Sequence, residues 1–167
     1  MGADVTIYCL ENLTDYFQFE RLCHDLMSLE GYPSIEPLGG FHDKGRDAIH
    51  VDKSDQTTIF AYSVNENWRA KLAEDASKVH KHGHGCDQLV FITTARFTPG
   101  ERDEAIRRIR DDFDWKLELF GAERLRILLD TQHPQVKSLH PQIFPPEFLA
   151  YQSRIEASAE RLSLIHI

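Results

Sequence analysis

At 167 residues, with 41% hydrophobic and 28% charged side chains, the chain suits one domain with a real core and argues against two. A formal charge of −8 excludes a broadly basic nucleic-acid coat, so any contact with a phosphate backbone has to come from a local patch. No run approaches the roughly 18 to 20 apolar residues of a membrane span, and three cysteines without CxxC spacing behind a signal-free N-terminus point to a reducing cytoplasm.

In chain order, Thr14 is placed to cap a helix whose apolar positions Tyr16, Phe19, Cys23, Leu26 and Leu29 recur at steps of three and four, and Gly31 ends it. A short SIEPL segment, the glycine-rich GGFHDKGRD running into AIHV, and QTTIFAYSV then predict three successive strands. Asn65 opens a second helix with the stripe Trp68, Leu72, Ala76 and Val79, released by Gly83 and Gly85. DQLVFITTA is a continuous apolar run, the pattern of a central strand that is covered on both faces and parallel to a neighbour.

Thr98-Pro99-Gly100-Glu101 is a capping box with proline at the first helical position, and it starts a helix through Ile106, Ile109 and Phe113. WKLELF alternates as a strand and GAERLRILLDTQ reads as a helix. The proline-punctuated HPQVKSLHPQIFPPEF closes the domain as an irregular segment, with IFPPEF a hydrophobic plug against the sheet. The order α, three β, α, β, α, β, α describes an α/β sandwich, a mixed sheet flanked by helices.

Metal-assisted phosphodiester hydrolysis needs hard oxygen ligands on a rigid frame and a cation for the charge that develops. Asp47 enters a strand directly from a glycine-rich turn, where its carboxylate meets little crowding. Glu20 lies one residue, about 100°, from Phe19, at the margin of the buried stripe. The plainer alternatives are a turn-capping Asp47 and a solvated Glu20, and Asp43 reads as bonding its own backbone. His80, His82, His84 and Cys86 alternate like metal ligands, but two glycines and a helix end favour a solvated terminus over a zinc cage.

FERL at 19–22, GGFHDKGRD at 39–47, IFAYSV at 59–64 and WRAKL at 68–72 together resemble the Mrr-type restriction-endonuclease-like domains of the PD-(D/E)XK nuclease superfamily. The resemblance spans residues 14–95 and implies a restriction-endonuclease-like fold with an α-β-β-β-α-β core, here extended by α-β-α. It implies that Glu20 and Asp47 help to hold Mg²⁺ or Mn²⁺, one ion or two. In that family Glu or Gln and then Lys follow on the next strand. Here Ala61 and Ser63 stand in those places, so the backbone carbonyl at Tyr62 is a candidate ligand. Lys71, about 60° round the next helix from Trp68, is the candidate substitute cation. Lys71 as a simple i,i+4 partner of Asp75 is the plainer reading. Ser63 either packs beside the site or donates to a phosphate, while Lys44, Arg46, Arg69 and Lys78 are candidate phosphate contacts.

The expected activity is therefore a divalent-metal-dependent endonuclease acting on DNA, with RNA as a second substrate class. The alternative is an inactive nuclease-like module that binds nucleic acid or a protein partner. The nuclease-like domain is expected over residues 1–150 and a helical linker over 151–161. Residues 162–167, LSLIHI, are identified with the in-frame translation of a transposon-derived sequencing adapter. The expectation that follows is a C-terminal sensor or regulatory region after the linker, in a prokaryotic defence protein that is a candidate homo-oligomer.

Overall fold

The computed structural model describes residues 2–37, 48–52, 54–64, 66–82 and 85–165, and within them the side chains of 5–162. Asp43, Lys44, Arg46 and Asp47, with Asn65, Gly83 and His84, lie outside the described residues.

The elements run α1 (Gly2–Glu11), α2 (Tyr16–Leu29), β1 (Glu36–Pro37), β2 (Ala48–Val51), β3 (Thr57–Ser63), α3 (Trp68–Lys81), β4 (Gln88–Thr93), α4 (Pro99–Phe113), β5 (Lys116–Phe120), α5 (Ala122–Ile127), α6 (Gln135–Ser138) and α7 (Pro146–Ile165). A π-helical turn over Leu128–Gln132 continues α5. The five strands form one sheet in sequence order. β1, β2 and β3 are antiparallel neighbours, and β3, β4 and β5 are parallel, so the apolar DQLVFITTA run is indeed central.

Burial follows the two-residue period of the strands. Phe60, Tyr62, Val90, Ile92 and Phe120 face one way, into a core with Leu10 of α1, Phe19, Leu22, Cys23, Leu26 and Met27 of α2, and Leu125, Leu128 and Leu129. Ile59, Ala61, Leu89, Phe91, Leu117 and Leu119 face the other way, against Trp68, Leu72, Ala76 and Val79 of α3 and Ile109 of α4. Ile143 and Phe144 are buried in the first of these cores, which is the plug expected of IFPPEF.

Several expectations are corrected. The N-cap of α2 is Asp15, not Thr14: its Oδ1 accepts from the Phe17 and Gln18 amides at 3.0 and 3.2 Å, a reach the carboxylate has from one residue nearer the helix. Gly31 does end α2, at φ 105°, where a side chain is disfavoured, and lets the Tyr32 amide reach back to the Met27 carbonyl at 3.1 Å. α3 begins at Trp68, behind Asn67. The capping box of α4 is present in full. The closing segment is less irregular than its prolines suggest, since α6 forms within it and Pro146 occupies the first position of α7, where its missing amide costs nothing.

The sequence reading assigns no element to α1. Its Thr6 is fully buried and donates to Asp130 Oδ1 at 2.6 Å. The same oxygen accepts from Lys137 Nζ at 2.8 Å and Gln152 Nε2 at 3.1 Å, and Lys137 Nζ also donates to Gln152 Oε1 at 2.7 Å. This network joins α1, the π-turn, α6 and α7. Residues 151–161 continue α7 without a break, with Gln152 buried at its root. Among the described residues no helix is long and apolar enough to cross a membrane.

Lys137 and Asp130 are both almost enclosed, so Lys137→Ala removes the nearest cation from a buried carboxylate. The expected loss of stability is about 3–5 kcal/mol, read from urea unfolding midpoints against the parent chain.

Candidate active site

The C-terminal end of β3 is where the predicted residues can meet. β2 pairs with β3 from Val51↔Thr57 to Ala48↔Phe60, while the β4 ladder runs on through Ser63↔Thr93. The Ser63 carbonyl accepts from the Thr94 amide at 3.3 Å on the β4 side. Carbonyls alternate along a strand, so that of Tyr62 is directed to the β2 side, two residues beyond the last described β2 pair. A backbone carbonyl oxygen is a hard donor of the kind Mg²⁺ and Mn²⁺ take.

Helix α2 covers one face of this end. The His24 ring packs edge-on against Tyr62 at 5.3 Å, and Tyr32, past the end of α2, packs against Phe60 at 5.0 Å. The helix therefore runs opposite to β3. Glu20, one turn before His24 and partly exposed, lies toward the C-terminal end of the strand. A carboxylate there and the Tyr62 carbonyl are compatible with a hard divalent cation.

Helix α3 covers the other face. Ser63 follows the side-chain direction of Ile59 and Ala61, toward α3, and is 2% exposed, a placement that favours packing over an open phosphate contact. Ala61 lies flush within the layer of Leu72 and Ala76. Lys71, in the first turn of α3, forms the i,i+4 ion pair with Asp75 at 3.1 Å. It does not extend into bulk solvent: its side chain is 29% exposed, and that of Asp75 only 4%.

The structure brings Glu20, Tyr62, Ser63 and Lys71 to one end of β3, on both faces of the sheet. The basic candidates on α3 are otherwise engaged. Arg69, beside Lys71, stands 5.6 Å from the Trp68 ring and pairs with Glu101 of α4 at 2.6 Å. Lys78 pairs with Glu74 at 2.8 Å, about two turns along α3 from Lys71 and so near the opposite end of the sheet. His80 stacks near Phe113 at 5.4 Å. Burial pushes the Cys86 thiol up to about 12, and the neighbouring Asp87 adds to the effect.

Two residues went unremarked in the sequence or were undervalued there. Asp75 sits inside the stripe Leu72, Ala76 and Val79, and a charged residue within an apolar stripe is the signal that could have flagged its burial. His24 shares the Glu20 face at i,i+4, and its Nε2 is buried without a hydrogen-bond partner.

A mixed sheet with antiparallel and parallel halves, helices on both faces and oxygen donors at one strand end is a restriction-endonuclease-like frame. A family model for restriction endonuclease, Mrr_cat, matches residues 12–129, and the chain belongs to that family: it carries a nuclease domain of the kind that acts on DNA. No curated protein matches the chain.

Burial holds the His24 imidazole below its usual 6.5, and Asp25 offsets part of that effect. The unfolded chain then takes up a proton before the folded one, so this residue's contribution to stability is lost as pH falls below 6.5, until the folded imidazole also titrates. His24→Phe is expected to flatten that part of the curve, as read from urea unfolding at a series of pH values between about 7.5 and about 5.

Proposed function

We propose that the chain is a divalent-metal-dependent endonuclease domain that hydrolyses DNA phosphodiester bonds at the C-terminal end of β3. The observation that supports this reading is the Tyr62 carbonyl directed to the β2 side at the end of β3, with Glu20 on α2 and Lys71 on α3 to either side. Glu20, Asp47 and the Tyr62 carbonyl are the ligands, an all-oxygen set matched to Mg²⁺ or Mn²⁺. When bound, the cation supplies a Lewis acid for the scissile phosphate and acidifies water.

Within this reading the chain's own groups have separate tasks. Lys71 sets a fixed positive charge beside the phosphate oxygens that become more negative in the transition state. Ser63 closes the strand end beneath it. Lys44, Arg46 and Arg69 guide the backbone of the nucleic acid toward the site, with Lys78 a more distant contact. The family carries DNA as the substrate, and RNA is the competitor to test. A defence role, a reducing cytoplasm, assembly into homo-oligomers, and residues 151–161 as the linker to a C-terminal sensor belong to the same reading by analogy, as does the adapter origin of residues 162–167.

Ala61 and Ser63 favour one rival: an inactive nuclease-like module that retains the frame and binds nucleic acid or protein. Plasmid cleavage in Mg²⁺ or Mn²⁺ separates the two. The expected outcome is cutting that chelation abolishes, with Asp47→Ala and Lys71→Ala each slowed at least about 100-fold. Absence of metal-dependent cutting by the full-length protein, on DNA and RNA alike, leaves the binding module as the answer.

A further inference from the structure

We propose that Asp75 is the positioning residue for Lys71, an inference that rests on Lys71 being the charge stabiliser. An exposed i,i+4 pair on a helix is worth only a few tenths of a kcal/mol and needs no explanation. This pair is different, because the Asp75 carboxylate is withdrawn from water while Lys71 remains partly accessible.

Position 75 falls within the face that Leu72, Ala76 and Val79 press against Ile59 and Ala61. An apolar side chain there would complete the layer, and a buried ion pair contributes little net stability compared with apolar packing. What the carboxylate supplies that apolar packing would not is a fixed partner for the amine. A lysine carries a hydrated point charge on a flexible four-carbon stem, which on a bare helix surface samples many directions. Held at 3.1 Å by a carboxylate fixed in the α3–β3 layer, the Lys71 ammonium is restricted in direction.

The pair lies beside the departure in β3. The family's strand places an acid or amide and a lysine two residues apart, about 6.6 Å along the strand. Here Ala61 and Ser63 occupy those positions, and α3, packed directly on them, presents an acid and a lysine four residues apart, about 6 Å along its axis.

The test uses the full-length protein with Mn²⁺ and plasmid DNA, and compares Asp75→Asn, Asp75→Glu, Lys71→Ala and the double variant Asp75→Asn/Lys71→Ala. Asp75→Asn is expected to lower kcat about 10- to 100-fold, the cost of a displaced catalytic group. KM for DNA and the calorimetric Kd for Mn²⁺ should stay within about twofold, since neither depends on the direction of the amine. Asp75→Glu should recover part of kcat, and the double variant should be no slower than Lys71→Ala. Independently of activity, acetylation of Lys71 by a succinimidyl ester, followed by mass spectrometry, should be faster in Asp75→Asn.

Unchanged kcat and acetylation in Asp75→Asn overturn the proposal, as does loss of Mn²⁺ binding, which would make Asp75 a ligand. Additive losses in the double variant overturn it too. If Asp75→Asn does not fold, Asp75→Glu decides: kcat below the parent with faster Lys71 acetylation supports positioning, and parental values of both refute it. Wild-type cutting by Lys71→Ala removes the role of Lys71 and that of Asp75 with it. Impaired Lys71→Ala beside unimpaired Asp75→Asn removes only Asp75.

Discussion

Strand β3 is covered on both faces along nearly its whole length, and the rest of the molecule is arranged around that constraint. Its even-numbered residues belong to the α1–α2–α5 core and its odd-numbered residues to the α3–α4 core. Neither face has room for a ligand to lie on, so chemistry near this strand is confined to its edge and its end. Among the described residues β2 pairs with β3 as far as Phe60, and the two helices that flank the strand end bring side chains to it from opposite sides.

That geometry also bears on the two strand positions, 61 and 63, that carry no charge. A residue at position 61 or 63 points into the α3 layer, where Ala61 and Ser63 are buried. The helix in that layer then becomes the nearest scaffold for charged groups. Lys71 and Asp75 are one turn apart on it, and the turn faces the strand positions that carry neither charge.

The fold was legible in the sequence where local signals and burial agree. DQLVFITTA reads as central because it is apolar throughout, and it lies between two parallel neighbours; Thr98 and Glu101 cap α4 with the bonds their spacing implies. Helix α1 was not legible because its stability comes from outside it. Its buried face includes Thr6, which periodicity counts as polar and which the distant Asp130 satisfies. The site was legible in part for the same reason. Glu20 and Lys71 could be placed on their helices by angle, but the burial of Asp75 follows from what α3 packs on. The direction of the Tyr62 carbonyl follows from strand pairing, which no residue type encodes.

Tyr62 is bound to two different histories. Its ring fills the α2-side core and is constrained by shape, whereas its carbonyl faces the β2 side and is the same atom in every amino acid. Substitution at this position perturbs packing but leaves the oxygen in place, so a scan of side chains passes over it. A donor of this kind is invisible to selection on residue identity and is preserved by whatever preserves the strand. Only a change to the backbone itself, such as replacing the following amide with an ester, would alter its strength as a donor.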